Sequence, residues 1–344
     1  MLRVNVFKSK VNPKRIPYYD IAKGILIMFV VIGHIKWRAD CANISITPEI
    51  NMTYDISSFW YPFFMPAFFF ITGRCSNFNL NLKDSIINNF RTLIIPSFLL
   101  GLINCWISNL FNLDFTVKHY LWPWLFSWRN IFIHGGGNWF LVALFLSKVI
   151  YSLILKKLQF IKCSLFIFVL YVVGIYCYNM KVCNVWYFQH AFILMIYLHL
   201  GYISKNYKER DKMYSLMFIV YILIWIFLRI MNVSIPQISS NIDLNFNTVF
   251  YNLLLSITGT LGIIGLSCLL KYNKILETLG RSSLSIYCLH FAFLTFFLQE
   301  IDRYKLNQKI YFVLFIAMIV LTIVCCLVIN RFLQSNKLKF IVGK

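Results

Sequence analysis

A set of ionisable side chains stands within a long, largely apolar stretch near the start of the sequence, YYDIAKGILIMFVVIGHIKW at residues 18–37, before Lys36 near its end. They are Asp20, Lys23 and His34. On a helix, Lys23 and His34 share one face and lie about 16 Å apart along the axis. A neutral histidine can accept a proton from a hydroxyl, and an ammonium group can bind phosphate. The spacing therefore predicts a polar stripe with a base at one end and an anion-binding group at the other.

Asp20 belongs to the Lys23 end of this stripe. It is about 21 Å from His34 along one helix, so it cannot orient the imidazole. We expect Asp20 to hold Lys23 in place, and we expect the partner that orients His34 to come from another span. A simpler interpretation stays open, in which Asp20 and Lys23 pair at the membrane surface and His34 lies among the headgroups.

The elements that position these residues are predicted to be membrane helices. Of the 344 residues, 60% are hydrophobic and only 13% are charged, whereas soluble domains average about 25% charged. Ten apolar segments are long enough to cross a bilayer as helices, and they lack the alternation of a membrane barrel. They are residues 17–37, 56–73, 90–110, 138–155, 163–179, 186–203, 213–231, 247–270, 281–299 and 308–330. The sequence therefore predicts an all-α polytopic membrane bundle.

The basic residues predict its orientation. Of the 33 Lys and Arg, 22 fall on one side of the alternating scheme and 8 on the other. By the positive-inside rule, both termini are cytoplasmic. The net charge of +21 then reflects topology, and we predict no nucleic-acid partner. We divide the chain into a basic cytoplasmic segment 1–15, a membrane domain 16–332 and a cytoplasmic tail 333–344.

Several motifs along the chain resemble those of the acyltransferase 3 family of integral membrane acyltransferases. The first is DIAKGILIMFVVIGH, a basic residue followed by ten residues and a histidine, in the form closest to the fucose 4-O-acetylase branch. Four later runs agree in order: FFMPAFFFITGR (63–74), RTLIIP (91–96), NWFLVALF (138–145) and LGRSSLSIYCLH (279–290). The chain departs from the family pattern at Lys23, where arginine is commoner, and at Thr72, where serine is usual.

The resemblance implies transfer of an acyl group, which we expect to be acetyl, from cytoplasmic acyl-CoA to a hydroxyl of a glycan. His34 is the catalytic residue in this interpretation, either as a general base or as a covalent acyl carrier. The predicted acyl-CoA ligands are Lys23, Asp20, Arg91 and Arg74. The predicted acceptor-binding residues are Asn138, Trp139 and His290. No metal site is predicted, because the His and Cys spacings do not match known ligand patterns.

Two alternatives stay open at this point. Arg74 and Arg91 can be ordinary positive-inside charge, Trp139 part of an interfacial aromatic belt, and His290 a packing residue. A membrane transporter or flippase of a glycan or its precursor would also need charges inside its spans. The predicted location is the cell membrane, and the predicted partners are the lipid bilayer, the glycan acceptor and the enzymes that assemble it.

Overall fold

The computed structural model describes most of the chain, and every regular element in the described part is a helix. The described residues are 16–78, 80–111, 113, 138–180, 182, 185–205, 211–233, 246–304, 308–335 and 338–344. The predicted basic segment 1–15 lies outside them. So do residues 114–137, which precede the predicted acceptor-binding residues Asn138 and Trp139.

Fourteen α-helices occur in the described residues. They are α1 (Pro17–Gly33), α2 (Ile35–Cys41), α3 (Pro48–Ser57), α4 (Phe64–Cys75), α5 (Leu82–Asn89), α6 (Ile95–Leu110), α7 (Trp139–Lys157), α8 (Phe160–Asn179), α9 (Phe188–Ser204), α10 (Asp211–Ile230), α11 (Phe246–Leu269), α12 (Lys274–Arg281), α13 (Ser283–Arg303) and α14 (Gln308–Ser335). A π-helical turn, Phe90–Ile94, joins α5 to α6. Short 3₁₀ turns cover Val185–Tyr187 and Lys339–Val342.

The predicted polytopic bundle is confirmed. Within the described ranges, eight helical segments are long and apolar enough to cross a membrane, and the apolar helices α4 and α9 are shorter. Each of the ten predicted segments overlaps one of these helices. The main difference is the second segment, predicted at 56–73, because α4 begins only at Phe64.

The residues before α4 are irregular, and neighbouring helices satisfy their backbone. Ser256 Oγ on α11 donates a hydrogen bond to the carbonyl of Pro62 at 2.5 Å. The hydroxyl of Tyr221 on α10 donates to the carbonyl of Phe59. Non-helical backbone inside a membrane protein requires such partners, because lipid offers none. The turn is therefore held by tertiary contacts that hydropathy does not reveal.

Two spans form the centre of the bundle. In their most apolar stretches, 61% of residues in the segment Pro17–Cys41 and 72% in α13 are buried inside the protein. The corresponding shares are 17% for α10 and 22% for α14, whose remaining apolar surface suits contact with lipid. The predicted polar stripe thus lies on one of the two most enclosed spans.

Two helix pairs approach closely through glycines. A Cβ on Gly24 would overlap the backbone of Leu276, and one on Gly280 would overlap the carbonyl of Asp20. These contacts hold the short helix α12 against the start of α1. Gly73 and Gly201 play the same part between α4 and α9. Small residues at a helix interface allow two backbones to approach this closely.

The C-terminal segment is packed against the bundle. Helix α14 continues to Ser335, beyond the predicted domain boundary at 332. The following 3₁₀ turn places Val342 in a buried position, and Gly343 adopts φ 72° close to the carbonyl of Thr92 in the π-helical turn. Residues 338–344 therefore lie beside the start of α6.

Candidate active site

His34 occupies the break between α1 and α2, with backbone angles of −90° and −5°. Its Nδ1 lies 2.7 Å from the carbonyl oxygen of Val30. A carbonyl only accepts hydrogen bonds, so Nδ1 carries the proton and Nε2 keeps its lone pair. The hydroxyl of Tyr61 donates to the carbonyl of Gly33 at 2.7 Å and satisfies the backbone at the break. The prediction that another span orients His34 is therefore wrong, because its own helix does so.

His290 on α13 is the nearest ionisable neighbour of His34 on another span. The two ring centroids are 5.2 Å apart and the rings are tilted by 50°. His290 is fully buried, and its Nδ1 lies 3.0 Å from the carbonyl oxygen of Ile286 and 2.9 Å from that of Tyr287. Its Nε2 has no hydrogen-bond partner among the described residues. Two imidazoles with the same tautomer, each with a lone pair on Nε2, thus form a pair in which His290 is buried and His34 is half-buried.

Phe291 supports this pair. Its ring centroid is 5.0 Å from that of His34 and 4.2 Å from that of His290. The guanidinium carbon of Arg38 is 5.6 Å from the same ring centroid. Arg38 was not among the predicted site residues. The signal that could have found it is its position one helical turn beyond His34.

The Lys23 end of the stripe is held by ion pairs. Asp20 is buried, and its carboxylate lies 3.9 Å from Lys23 Nζ and 3.6 Å from Arg281 Nε on α12. Arg281 also pairs with Glu277 one turn earlier on the same helix. The position of Asp20 beside Lys23 follows from a helix spacing of three residues. Arg281 was not predicted, because the approach of α12 depends on the glycine contacts described above.

Further cations gather at this end. The charges of Lys23, Arg74 and Lys205 all act on the thiol of Cys75. Arg74 donates to the carbonyl of Ser204, and Lys205 donates to that of Ser76. Burial and the nearby Arg74 lower the pKa of Lys205, although Cys75 opposes this effect.

Arg91 is exposed in the π-helical turn, and no contact joins it to these cations within the described ranges. Its prediction as a ligand of acyl-CoA therefore gains no geometric support. Leu93, two residues further on, does line the cavity described next.

A cavity of about 150 Å³ lies between Lys23, at the cation end of the stripe, and Tyr287, whose ring is near that of His290. It is lined on α1 by Lys23 and Ile27, and on α13 by Ser283 and Tyr287. The ring centroid of Tyr287 is 6.4 Å from that of His290. The cavity thus has a predicted anion-binding group in its wall and approaches the histidine pair through Tyr287, although neither imidazole is among the described residues that line it. Thr72, the position that departs from the family pattern, also lines it.

Asn138 and Trp139 lie at the start of α7, away from His34. The amide of Asn138 donates to the carbonyl of Ser97 at 3.1 Å and ties α7 to α6. The ring centroid of Trp139 is 5.0 Å from that of His190, beside Tyr187. The next residue, Phe140, lines the cavity. Of the three predicted acceptor-binding residues, only His290 therefore reaches the candidate active site.

Metal ligands are not clustered in this region. No group of three or more His, Cys, Asp or Glu side chains that could hold a metal ion comes together in the described part of the chain. The two imidazoles are the candidate catalytic groups of this region.

The fold and the site define a class of protein, a multi-pass membrane enzyme with a cavity that is lined by Lys23 and lies close to a pair of imidazoles. The particular family follows from comparison with known proteins. A family model described as an acyltransferase domain, of the acyltransferase 3 type, matches residues 16–331, and the chain belongs to this family. Comparisons with curated proteins and with solved structures gave no match.

Proposed function

We propose that this membrane acyltransferase transfers an acetyl group from acetyl-CoA to a hydroxyl of a glycan. The observation that carries the proposal is the cavity lined by Lys23 and Tyr287, because the Tyr287 ring lies 6.4 Å from that of His290, which contacts His34. The cations at one end suit the phosphates of CoA, and the largely apolar walls suit a thioester arm. The resemblance to the fucose 4-O-acetylase branch favours acetyl as the donor group and a sugar as the acceptor.

The positive-inside distribution supports delivery of the donor from the cytoplasm. Lys23, Arg74 and Lys205 would hold the phosphates, while Asp20 and Arg281 keep Lys23 near the cavity. The glycan would enter from the opposite end, where His34 lies. This arrangement favours a cell-membrane location, with the enzymes of glycan assembly as the source of the acceptor.

The chemistry follows from the Nε2 lone pairs. The acceptor oxygen forms a bond to the thioester carbonyl carbon while its proton passes to Nε2 of His34. Collapse of the tetrahedral intermediate breaks the carbon–sulfur bond, and the thiolate leaves with that proton. General-base assistance of this kind contributes about 10²–10⁴ to the rate.

The pair also fits a second route. Nε2 of one imidazole attacks the thioester carbon, the carbon–sulfur bond breaks, CoA leaves as the thiolate, and an acyl-imidazolium that keeps its Nδ1 proton forms. The other imidazole then takes the proton of the acceptor hydroxyl as the acyl group transfers to the oxygen and the first imidazole is released. That proton finally passes to the CoA thiolate. Rapid quenching of protein with radiolabelled acetyl-CoA distinguishes the routes, because only the second leaves label on a histidine.

The decisive experiment uses the full chain in lipid nanodiscs with acetyl-CoA. We expect release of free CoA by the wild-type protein, measured by chromatography, and a fall of about 10²–10⁴ in His34→Asn. Asparagine can still donate to the carbonyl of Val30, but it has no basic nitrogen. Retained thermal stability and acetyl-CoA binding serve as controls for insertion and folding.

Undiminished CoA release by correctly inserted His34→Asn protein would refute the role of His34. Absence of any acetyl-CoA turnover by the wild type, with movement of glycan across the membrane, would instead support the transporter. Mass spectrometry of surface glycans with and without the gene identifies the acceptor. A difference of one acetyl group would name both the donor group and the modified glycan.

A further inference from the structure

Arg38 places a cation beside the histidine pair. Its backbone N–H donates to the carbonyl of His34 at 2.9 Å, so it lies one turn beyond the imidazole. Its Nε donates to Thr295 Oγ1 on α13 at 2.7 Å. Its guanidinium carbon lies 5.6 Å from the ring centroid of Phe291, which also contacts both imidazoles. Arg38 therefore belongs to the same cluster as His34 and His290.

The charge of Arg38 is not compensated by any carboxylate in the part of the chain that the structure describes. The residue is half-buried, and no carboxylate of the described residues forms an ion pair with it. The hydrogen bond to Thr295 uses Nε, and the two terminal nitrogens have no hydrogen-bond partner in the described part of the chain. Taking a cation partly out of water is unfavourable unless an anion or several acceptors replace the water.

Its shape indicates what would compensate this charge. A guanidinium group offers two parallel N–H donors, which match the two oxygens of a carboxylate or a phosphate. The cation is present before any reaction begins. A ligand that is already charged therefore matches Arg38 better than the transient oxyanion of an acyl transfer does.

We propose that Arg38 binds a carboxylate or phosphate group of the acceptor and so places the acceptor hydroxyl at His34. This inference rests on the proposed function and narrows it to acidic glycans or sugars that carry phosphate. Thr295 is a positioning residue, which holds the guanidinium through its hydrogen bond from Nε. The aromatic rings of Trp37 and Phe291 flank the charge, at 5.4 Å and 5.6 Å from the guanidinium carbon.

The test measures ligand-induced thermal stabilisation of the full chain in nanodiscs of neutral lipid. CoA is kept saturating, so that the cations near Lys23 are already occupied. The probes are methyl glucuronide for the carboxylate, glucose 1-phosphate for the phosphate and methyl glucoside as the neutral control. A ligand that binds only the folded state raises the unfolding temperature in proportion to its affinity.

We expect at least one anionic probe to stabilise the wild-type protein and methyl glucoside to have no comparable effect. Arg38→Gln should weaken that response by about tenfold or more in apparent affinity. The two anionic probes separate a carboxylate acceptor from a phosphate acceptor. Equal responses in wild type and Arg38→Gln, equal responses to charged and neutral sugars, or no response to either anion would overturn the proposal.

Matched variants guard against a folding defect. Arg303→Gln removes an exposed arginine on the same helix as Thr295, where it pairs with Glu300, and should respond as the wild type does. Arg38→Lys keeps the charge without the fork and should retain part of the affinity. Thr295→Val should weaken binding, and Thr295→Ser should restore it; equal affinity in both would refute the positioning role. The shift needs no reaction, so absent acetyl-CoA turnover would overturn only the proposed function.

Discussion

Replacing Lys23 with glutamine tests whether the cavity is the site of acyl-CoA. Lys23 lines the cavity, and its side chain is 28% exposed, so water screens its charge only in part. A hydrogen bond between charged groups contributes about 1.5–3 kcal/mol. We take the lower end because of the partial exposure, and this value corresponds to about a tenfold loss of affinity.

The stability of the protein should change little in this variant. Asp20 keeps Arg281 at 3.6 Å after Lys23 is lost, so no buried carboxylate is left without a cation. Lys274→Gln is the matched control, because Lys274 is an exposed lysine at the start of α12, the helix that packs beside Asp20. It removes the same charge near the same end without touching the cavity.

The assay is equilibrium binding of radiolabelled acetyl-CoA to protein in neutral nanodiscs at two salt concentrations. The wild type should lose affinity more steeply with salt than Lys23→Gln does, since one phosphate contact is missing in the variant. A dissociation constant within about twofold of the wild type would refute the reasoning, given the tenfold loss expected from one charged hydrogen bond. An equal loss in Lys274→Gln would show instead that only the general positive potential matters.

Three further predictions concern the scaffold of the site. His290→Asn should lower kcat by about tenfold or more, the lower range for loss of an acid–base group, while acetyl-CoA affinity is kept; an unchanged kcat would leave His290 as a packing residue. Gly280→Ala should lower the thermal midpoint of unfolding, because the added Cβ would overlap the carbonyl of Asp20. In the control Gly33→Ala, the atoms nearest to the added Cβ belong to side chains, which can move aside. Equal thermal midpoints in the two variants would contradict this reasoning. Asn330→Leu removes three side-chain hydrogen bonds, to Ser285 on α13, to Ser282 just before α13 and to Gln334 on α14 itself. It should destabilise the protein by about 1–3 kcal/mol in thermal or denaturant unfolding, and unaltered stability would show that these bonds contribute little.

Much of the architecture could be predicted because it depends on local properties. Runs of apolar residues identify membrane helices, since each helix satisfies its own backbone. The predicted helix bounds were less accurate where another helix satisfies the backbone hydrogen bonds instead. The turn before α4 is an example, because Ser256 and Tyr221 bind carbonyl groups that the apolar run alone would place in a helix.

Within the site, the sequence alone determined the relations along single helices. The shared face of Lys23 and His34, and the position of Asp20 beside Lys23, follow from helical periodicity. The motif ending at His290 was also recognisable, although nothing in it showed which residue it would meet. The hydrogen bond between His34 and the carbonyl of Val30 is equally local, because the two residues are four positions apart on one helix. It was not predicted, since a partner on another span was expected.

Only the tertiary structure decided which distant residues meet. Arg38 and Thr295 are 257 positions apart in the sequence and share a hydrogen bond. His290 on α13 likewise lies beside His34, which stands between α1 and α2. Apolar helix faces resemble one another in lipid, so composition does not specify which of them pack together. Small residues, backbone breaks and buried polar bonds specify that packing, and they brought two imidazoles and the guanidinium of Arg38 into one cluster.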